Sequence, residues 1–375
     1  MTSRHRCLET LLFGSPDRVP LQPGDGRRST LQAWHAQGLP RHIEDVNEHA
    51  YRQAGGMLPW PRGGPGFHVN ERMIPQFEEK VIERRANTQI VQDWKGNICE
   101  IGNEHSVEEL RDPVDFVTRR WIRCPVESLR DWEEMKERYD PEDQSRFPQE
   151  AAQLGRELTD RDCFLEISFP GPFWQLREWV GFEQLCLLFH DDPALVRDMV
   201  SFWQRYIARL LEKTFRFVVP DCVYISEDMA FKEHAMISPD MVREFLLPAY
   251  GQWGEIIAGV GCSIYAMDSD GLMGQLIPVW CEAGINVCDP VEAAAGNDLV
   301  EMRKAFGRKM AYRGGVDKRA IAKGGRAIEA EIERLSPVIR DGGYLPGCDH
   351  AVPADVSWLN YVHYVKLLAA SVGWL

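Results

Sequence analysis

The sequence predicts an α/β chain folded as a single (β/α)8 barrel of the TIM type, and three observations predict it. Short β-branched or aromatic runs alternate with longer amphipathic ones from Thr88 onward, which implies a parallel sheet with helices between its strands. Polar residues close most of the short runs, as they do where the strands of a barrel end at its active face. No GxGxxG follows a strand-like run, so an open, doubly wound dinucleotide-binding sheet is not indicated.

The strand-like runs are TQIVQD (88–93), DCFLEISFP (162–170), DCVYISED (221–228), CSIYAMDSD (262–270), INVCDP (285–290), KMAYRGG (309–315) and GYLPG (343–347). Between them the helical period of the apolar residues predicts helices over 193–215, 239–258, 272–283, 297–306 and 328–339. Asp93, Ser168, Glu227 with Asp228, Asp268 with Asp270, Asp289, Arg313, and Cys348 with His350 stand at the ends of the strand-like runs. Each of the acidic or hydroxyl residues alone can also serve as a helix N-cap.

A chain of 375 residues with 44% hydrophobic content buries a large core, and residues 1–375 are read as one domain. Its 43 basic and 57 acidic residues give a formal charge of −14, which argues against nucleic acid as the partner. Ten scattered cysteines without a CxxC pair fit a reducing, cytoplasmic setting rather than a disulfide framework. No apolar run reaches the roughly 18 residues that a membrane span needs. Residues 1–85 are expected to be an irregular part covering the barrel. Their Gly/Pro-rich stretch 55–68 must be a loop, read either as an active-site cover or docking surface or as a surface excursion.

Several segments carry a resemblance. AGINVCDPVEAAAGNDLVEMRKAFGRKMAYRGGVDKRAI (283–321), GGYLPGCDHAVPADVSWLNYVHYVK (342–366), SEDMAFKEHAMISPDMVREFLLPAY (226–250), DSDGLMGQLIPVWCEAGIN (268–286), PDRVP (16–20) and WHAQGLP (34–40) resemble the uroporphyrinogen decarboxylase superfamily. The resemblance implies a (β/α)8 barrel with a cleft at the C-terminal ends of its strands, and homodimers of the kind relatives form. It also implies one of two chemistries: decarboxylation of porphyrinogen acetate groups, or methyl transfer involving a thiol or a corrinoid carried on a separate partner protein, usually with zinc.

The decarboxylases carry an arginine-rich MRQAGRYLPEYR signature that is missing around Arg27 and Arg28, and their LGHG is replaced by PGCDH (346–350). Asp93 matches the aspartate that holds the pyrrole N–H groups in those enzymes. In the thiol-alkylating members a His-x-Cys pair and a later Cys bind zinc. The pair falls here on Asp268 and Asp270, and the later Cys on Cys348. The resemblance therefore implies Asp268, Asp270, Cys348 and His350 as a Zn2+ set. Glu227, Asp228, Glu233 and His234 are further candidates, although His234 sits just before an expected cap at Ser238 and reads better as structural.

The sequence thus points to a methyltransferase-like enzyme acting on a small methylated compound, such as a methoxylated aromatic. A decarboxylase and a non-catalytic ligand-binding barrel are the alternatives. Its catalytic residues are Asp270, His350 and Asp93, and its substrate-binding residues are Arg313, Tyr224, Glu227, Tyr312, Asp289 and Trp174. Plainer alternatives stand beside them. Asp268 and Asp270 can cap a helix or pair with Arg313. Cys348 can be a buried apolar thiol, and His350 can bond loop backbone. Arg313 can bind a substrate carboxylate, helped by the close approach that Gly314 and Gly315 allow, or pair with Asp289 or Glu292. The aromatics Phe169, Phe173, Trp174, Tyr224, Tyr265 and Tyr312 can line a pocket or fill the core.

Overall fold

The structure is a computed structural model that describes residues 1–61, 63–111 and 117–375. Among the described residues ten strands form two sheets. The antiparallel sheet holds β1 (Lys80–Arg84), β2 (Thr88–Gln92), β3 (Ile98–Gly102) and β4 (Arg119–Arg123) in sequence order. The parallel sheet runs β5 (Glu166–Pro170), β6 (Cys222–Ser226), β7 (Ile264–Asp268), β8 (Val287–Val291), β9 (Ala311–Val316) and β10 (Tyr344–Cys348), also in sequence order. Each pair of neighbours in it is joined through helical chain, as parallel strands require.

Period-two alternation assigns the faces of this sheet. Val223, Ile225, Met267, Cys288, Tyr312 and Tyr344 point into the main apolar core, which the helices share. Cys222, Ile264, Ala266, Val287, Ala311 and Leu345 point the other way and form a second cluster with Leu11 of the N-terminal helix Ser3–Leu11. That helix sits at the N-terminal ends of the strands, because Arg4 N–H donates to the carbonyl of Asp162 and the Thr10 carbonyl accepts from Gly343 N–H. The second face is therefore plugged at one end by apolar side chains and left polar at the other.

The sheet also curls. Arg313 on β9 reaches within 2.6 Å of Glu166 on β5, although β6, β7 and β8 lie between them. In a flat sheet those strands would be about 19 Å apart, beyond the combined reach of the two side chains. Curling turns the second face inward.

Two expectations change here. Six strands, not eight, pair in the parallel sheet among the described residues. Beyond β10 the segment around Pro23–Arg27 continues alongside without regular pairing, through Cys348 N–H to Pro23 O, Val352 N–H to Asp25 O and Arg27 N–H to Val352 O. TQIVQD (88–93) is a strand, but it belongs to the antiparallel sheet and pairs with β1 and β3. Local pattern cannot tell which sheet a strand joins, because its β-propensity is satisfied in either.

The helices follow their expected positions more closely. Pro193–Thr214 starts at the Asp192 cap, which accepts from Leu195 N–H, and buries Trp203, Ile207, Leu210 and Leu211 completely. Burial of each such side chain contributes about 1.5–3 kcal/mol before entropy is counted. Residues 1–85 hold three helices and share the main core through Leu21, Trp34, Tyr51 and Phe67. The 55–68 stretch has no helix or strand among its described residues, and Arg62 lies outside them. It runs at the N-terminal ends of the strands: Trp60 packs on Trp374, the Cα of Gly64 lies against Cys163, and Phe67 stacks on Phe217 at 6.1 Å. It therefore does not cover the C-terminal ends.

All ten cysteines are free thiols. No helix among the described residues is long and apolar enough to cross a membrane.

Candidate active site

Inward-facing polar side chains gather where the curled sheet is not filled by its apolar plug. On β5, Glu166 and Ser168 face inward while Ile167 and Phe169 face the helices. Ser168 is exposed and Glu166 half-buried, so solvent reaches down inside the sheet to this strand. Arg313 spans the interior: Nη1 bonds Glu166 and Nε lies 3.5 Å from Asp289 Oδ2. The Tyr224 hydroxyl donates to the same Asp289 oxygen at 3.1 Å. Burial works against the Arg313 charge, but Asp289 and Glu166 outweigh it and hold its pKa well above normal. Of the two readings of Arg313, the internal pair with Asp289 is the arrangement found.

Asp268, at the end of β7, and Asp289, in the middle of β8, lie directly opposite each other. Two such carboxylates cannot both ionise cheaply. Asp289 has Tyr224 and Arg313 to stabilise its charge, and among the described residues Asp268 is paired with no cation. Burial first, then Asp289, Asp270 and Asp228, push the Asp268 carboxyl up to about 8, with the Ser226 hydroxyl opposing. At neutral pH Asp268 holds a proton.

Above this layer, His350 Nε2 lies 3.4 Å from Asp270 Oδ2. The N–H of Ala351 donates to His350 Nδ1 at 2.7 Å, so the hydrogen-bond geometry assigns the ring proton to Nε2, facing Asp270. The hydrogen bond that the imidazole donates to Asp270 raises its pKa, against the effect of burial. His350 thus orients Asp270, and its own basic nitrogen is occupied. Lys318 bonds Glu292 at 2.8 Å and lies 3.8 Å from the fully buried Asp349, closing the β8–β10 side.

Other expected site residues lie elsewhere. Asp93 is in the tight turn between β2 and β3, where it accepts from the N–H groups of Lys95 and Asn97 and from the Asn97 amide. It ties that turn and does not stand at a strand end of the parallel sheet. Tyr312 points outward, its hydroxyl donating to the Met302 carbonyl. Glu227 is fully buried, and its oxygens accept from Tyr250 and from the N–H groups of Phe173 and Trp174, so it caps the helix Pro172–Val180 from outside. Burial raises its carboxyl to about 7. Cys348 is buried against the Pro23–Gly24 backbone, and burial pushes its thiol up to about 12. Gly314 and Gly315 both take positive φ, and a side chain on Gly315 would strike Leu299 and Tyr344, so these glycines serve packing.

Asp268, Asp270, Cys348 and His350 do not assemble a zinc set. Among the described residues no three His, Cys, Asp or Glu side chains come together as metal ligands, and Cys348 is held as a neutral thiol with Asp349 its nearest partner. Cys348 packs in the main apolar core that the helices share.

Trp174 lines a separate cleft of about 1780 Å3 between the antiparallel sheet and the helices after β5, with Trp94, Trp121, Arg119, Phe182 and Phe231. None of Asp268, Asp270, Asp289, Arg313, Cys348 or His350 lines it. Arg177 stands between the two regions: it lines the cleft and its guanidinium bonds Asp228. The sequence reading did not single out Glu166, Ser226, Lys318, Asp349 or Arg177. The signal for Glu166 was present, since a charged residue two before Ser168 in an apolar strand shares its face.

No family model matches the sequence, and no curated protein is significantly similar to it. Solved structures do match. A methyltransferase from Methanosarcina mazei superposes with a TM-score of 0.59 at 15% identity, covering 99% of this chain and 98% of that one. A B12-independent methionine synthase from Shewanella sp. W3-18-1 aligns over 59% of this chain and 65% of its own with a TM-score of 0.37 at 12% identity, too loosely to bear on the fold. At these identities a likeness speaks for architecture, not chemistry. Along nearly its whole length, the chain is built on the fold of the Methanosarcina mazei methyltransferase.

Proposed function

We propose that the polar interior of the curled sheet is the active site of a methyltransferase-like enzyme that demethylates a small, uncharged methoxylated compound. The reading takes the parallel sheet, with the segment beside β10, as the wall of a (β/α)8-type barrel. The carrying observation is the pair of opposed acids, Asp268 and Asp289, of which Asp289 alone is provided with a cation and a phenol. That leaves Asp268 as a proton donor at neutral pH.

A methyl–oxygen bond breaks reluctantly because the leaving oxygen must take up negative charge. Asp268 supplies a proton to that oxygen as the methyl group moves to an external nucleophile. The ether becomes an alcohol or phenol, the acceptor gains the methyl, and Asp268 is left as a carboxylate to be reprotonated from solvent. The acceptor is a thiol or the corrinoid of a separate partner protein. Asp270, oriented by His350, and Tyr224 fix the substrate. Of the expected zinc ligands only Asp270 and His350 are in direct contact, and no step is routed through a metal.

A porphyrinogen with many carboxylates suits this interior poorly. Its deep cation, Arg313, is already engaged by Glu166 and Asp289, and the aspartate expected to hold pyrrole N–H groups, Asp93, is committed to a hairpin turn.

The test is a panel of methoxylated small molecules offered with a thiol or a reduced corrinoid, with product alcohol followed by NMR. Asp268→Asn is expected to cut turnover at least ~100-fold, the usual size of a general-acid effect. Unchanged turnover in Asp268→Asn would overturn the assignment.

A further inference from the structure

The cleft between the antiparallel sheet and the helices after β5 has no part in the reaction just described, and its walls are unlike the rest of the surface. One wall is β4, an edge strand that pairs with β3 alone. Another is the helix Phe182–Asp191. Trp121, Ile122, Leu129, Phe182, Leu187 and Phe231 are all exposed, and all six line this cleft. Exposed apolar side chains scattered singly need no explanation, but a gathering of this size marks a surface that another molecule covers.

The charge of the cleft is opposite to that of the chain. Against a formal charge of −14 overall, its described lining holds seven Arg or Lys and five Asp or Glu. Each of its three indoles carries a stacked guanidinium: Arg72 lies 4.9 Å from the Trp94 ring, Arg119 4.8 Å from Trp121 and Arg177 4.4 Å from Trp174. Stacking occupies the face of a guanidinium and leaves its N–H edge for a carboxylate. Asp228, Glu100 and Glu127 take up Arg177, Arg120 and Arg123. No carboxylate of the described residues pairs with Arg119, whose one ring contact is Trp121. The void, about 1780 Å3, exceeds the usual size of a small-molecule pocket.

We propose that this cleft is a docking surface for a partner protein, whose occupying segment combines acidic side chains with aromatic or branched apolar ones. Its carboxylates meet Arg119 and the other cations along β4, and its apolar side chains cover Trp121, Phe182, Leu187 and Phe231. Trp174 follows β5 and Phe231 follows β6, so the partner sits at the C-terminal ends of these strands. A second copy joined edge to edge along β4 would bring Arg119, Arg120 and Arg123 of two chains together, which like-charge repulsion opposes. A nucleic acid would meet a chain of charge −14 and, in the cleft itself, Glu183 and Asp192.

The experiment is selection of short random peptides displayed on phage against the full chain, with the variant carrying both Trp121→Ser and Leu187→Ser as counter-target. The enriched sequences are expected to combine Asp or Glu with Phe, Trp, Leu or Ile. The most enriched one, made synthetically and followed by fluorescence anisotropy, should lose at least ~10-fold in affinity in each of Arg119→Ser, Trp121→Ser and Leu187→Ser. Raising the salt concentration should weaken it as well. Trp121 and Leu187 are exposed, so their variants keep the fold and decide the matter if Arg119→Ser does not fold. No enrichment over the counter-target, enriched sequences without acidic residues, or affinities unchanged in the variants overturn the proposal. So does a dimer in sedimentation velocity that Trp121→Ser dissociates, which would seat a second copy in the cleft. Binding of an oligo-dT strand that the same variants abolish would likewise overturn it.

Discussion

His350 Nε2 lies 3.4 Å from Asp270 Oδ2, joining the loop after β10 to the loop after β7 across the mouth of the curled sheet. The Ala351 N–H on the other ring nitrogen fixes which face of the imidazole meets the carboxylate. This is the arrangement in which a histidine orients an acid, rather than one in which it collects a proton from substrate.

Asp270→Asn is therefore expected to lower the His350 pKa, because it removes the partner that raises it. A histidine whose folded pKa is raised adds stability at low pH and loses it as pH climbs through the folded value. The variant should lose stability relative to wild type at pH 5 but not at pH 9. The loss should be under about 1 kcal/mol, since Asp270 is 40% exposed and screened. NMR titration of the His350 ring and denaturant melts at the two pH values check both parts. An unmoved ring titration would show that the pair does not form.

Asp268 follows the same sign over a wider window. Its folded pKa, about 8, stands far above the usual aspartate value of 3.8, so the folded state holds a proton that the unfolded state releases. Its contribution to stability is complete below pH 4 and is lost progressively up to about pH 8. Asp268→Asn should be stabilising at both pH 5 and pH 9 and more so at pH 9, by something on the order of 2 kcal/mol. Thermal unfolding at the two pH values measures it, and equal shifts at both would contradict a protonated Asp268.

The Arg313–Glu166 bond crosses the inside of the sheet. Removing either partner leaves the other charge poorly compensated, which in partly buried surroundings costs about 1–3 kcal/mol, less than the figure for a dry interior. Glu166→Gln and Arg313→Met should each destabilise by that amount, and the double variant should recover part of the loss. A double-mutant cycle from urea melts reads the coupling. Strict additivity would mean that the two side chains do not meet, and with that the curl of the sheet would be in doubt.

Cys348 is expected to be inert. Its thiol is held near 12 by burial, so native protein at pH 8 should leave Cys348 unmodified by iodoacetamide, as mass spectrometry of digests would show. Cys348→Ala should retain turnover and bound-metal content within about twofold, whereas a zinc ligand would lose both by 10-fold or more.

Much of the architecture was legible in the chain. Alternation in runs such as CVYIS and IYAMD separates the residues that meet helices from those that face inward, and the helical periods between them determine a parallel sheet with its strands in sequence order. Polar residues at the ends of those runs marked Asp268, Asp270, Asp289, Arg313 and His350, which the structure brings to one region. These features are local, because the side-chain direction of a strand depends only on parity along it.

What the sequence left open were the questions that only distant contacts answer. TQIVQD satisfies its β-propensity in either sheet, and its pairing with β1 and β3 removed Asp93 from the site. Tyr312 precedes Arg313 by one residue and so faces the opposite side of β9. Cys348 and Asp268 stand at comparable strand ends, yet the Pro23–Gly24 backbone covers one, while Asp289, itself balanced by Arg313 and Tyr224, leaves the other with a proton. Burial and charge pairing are sums over residues far apart in the chain, and they exist only once the sheet has curled.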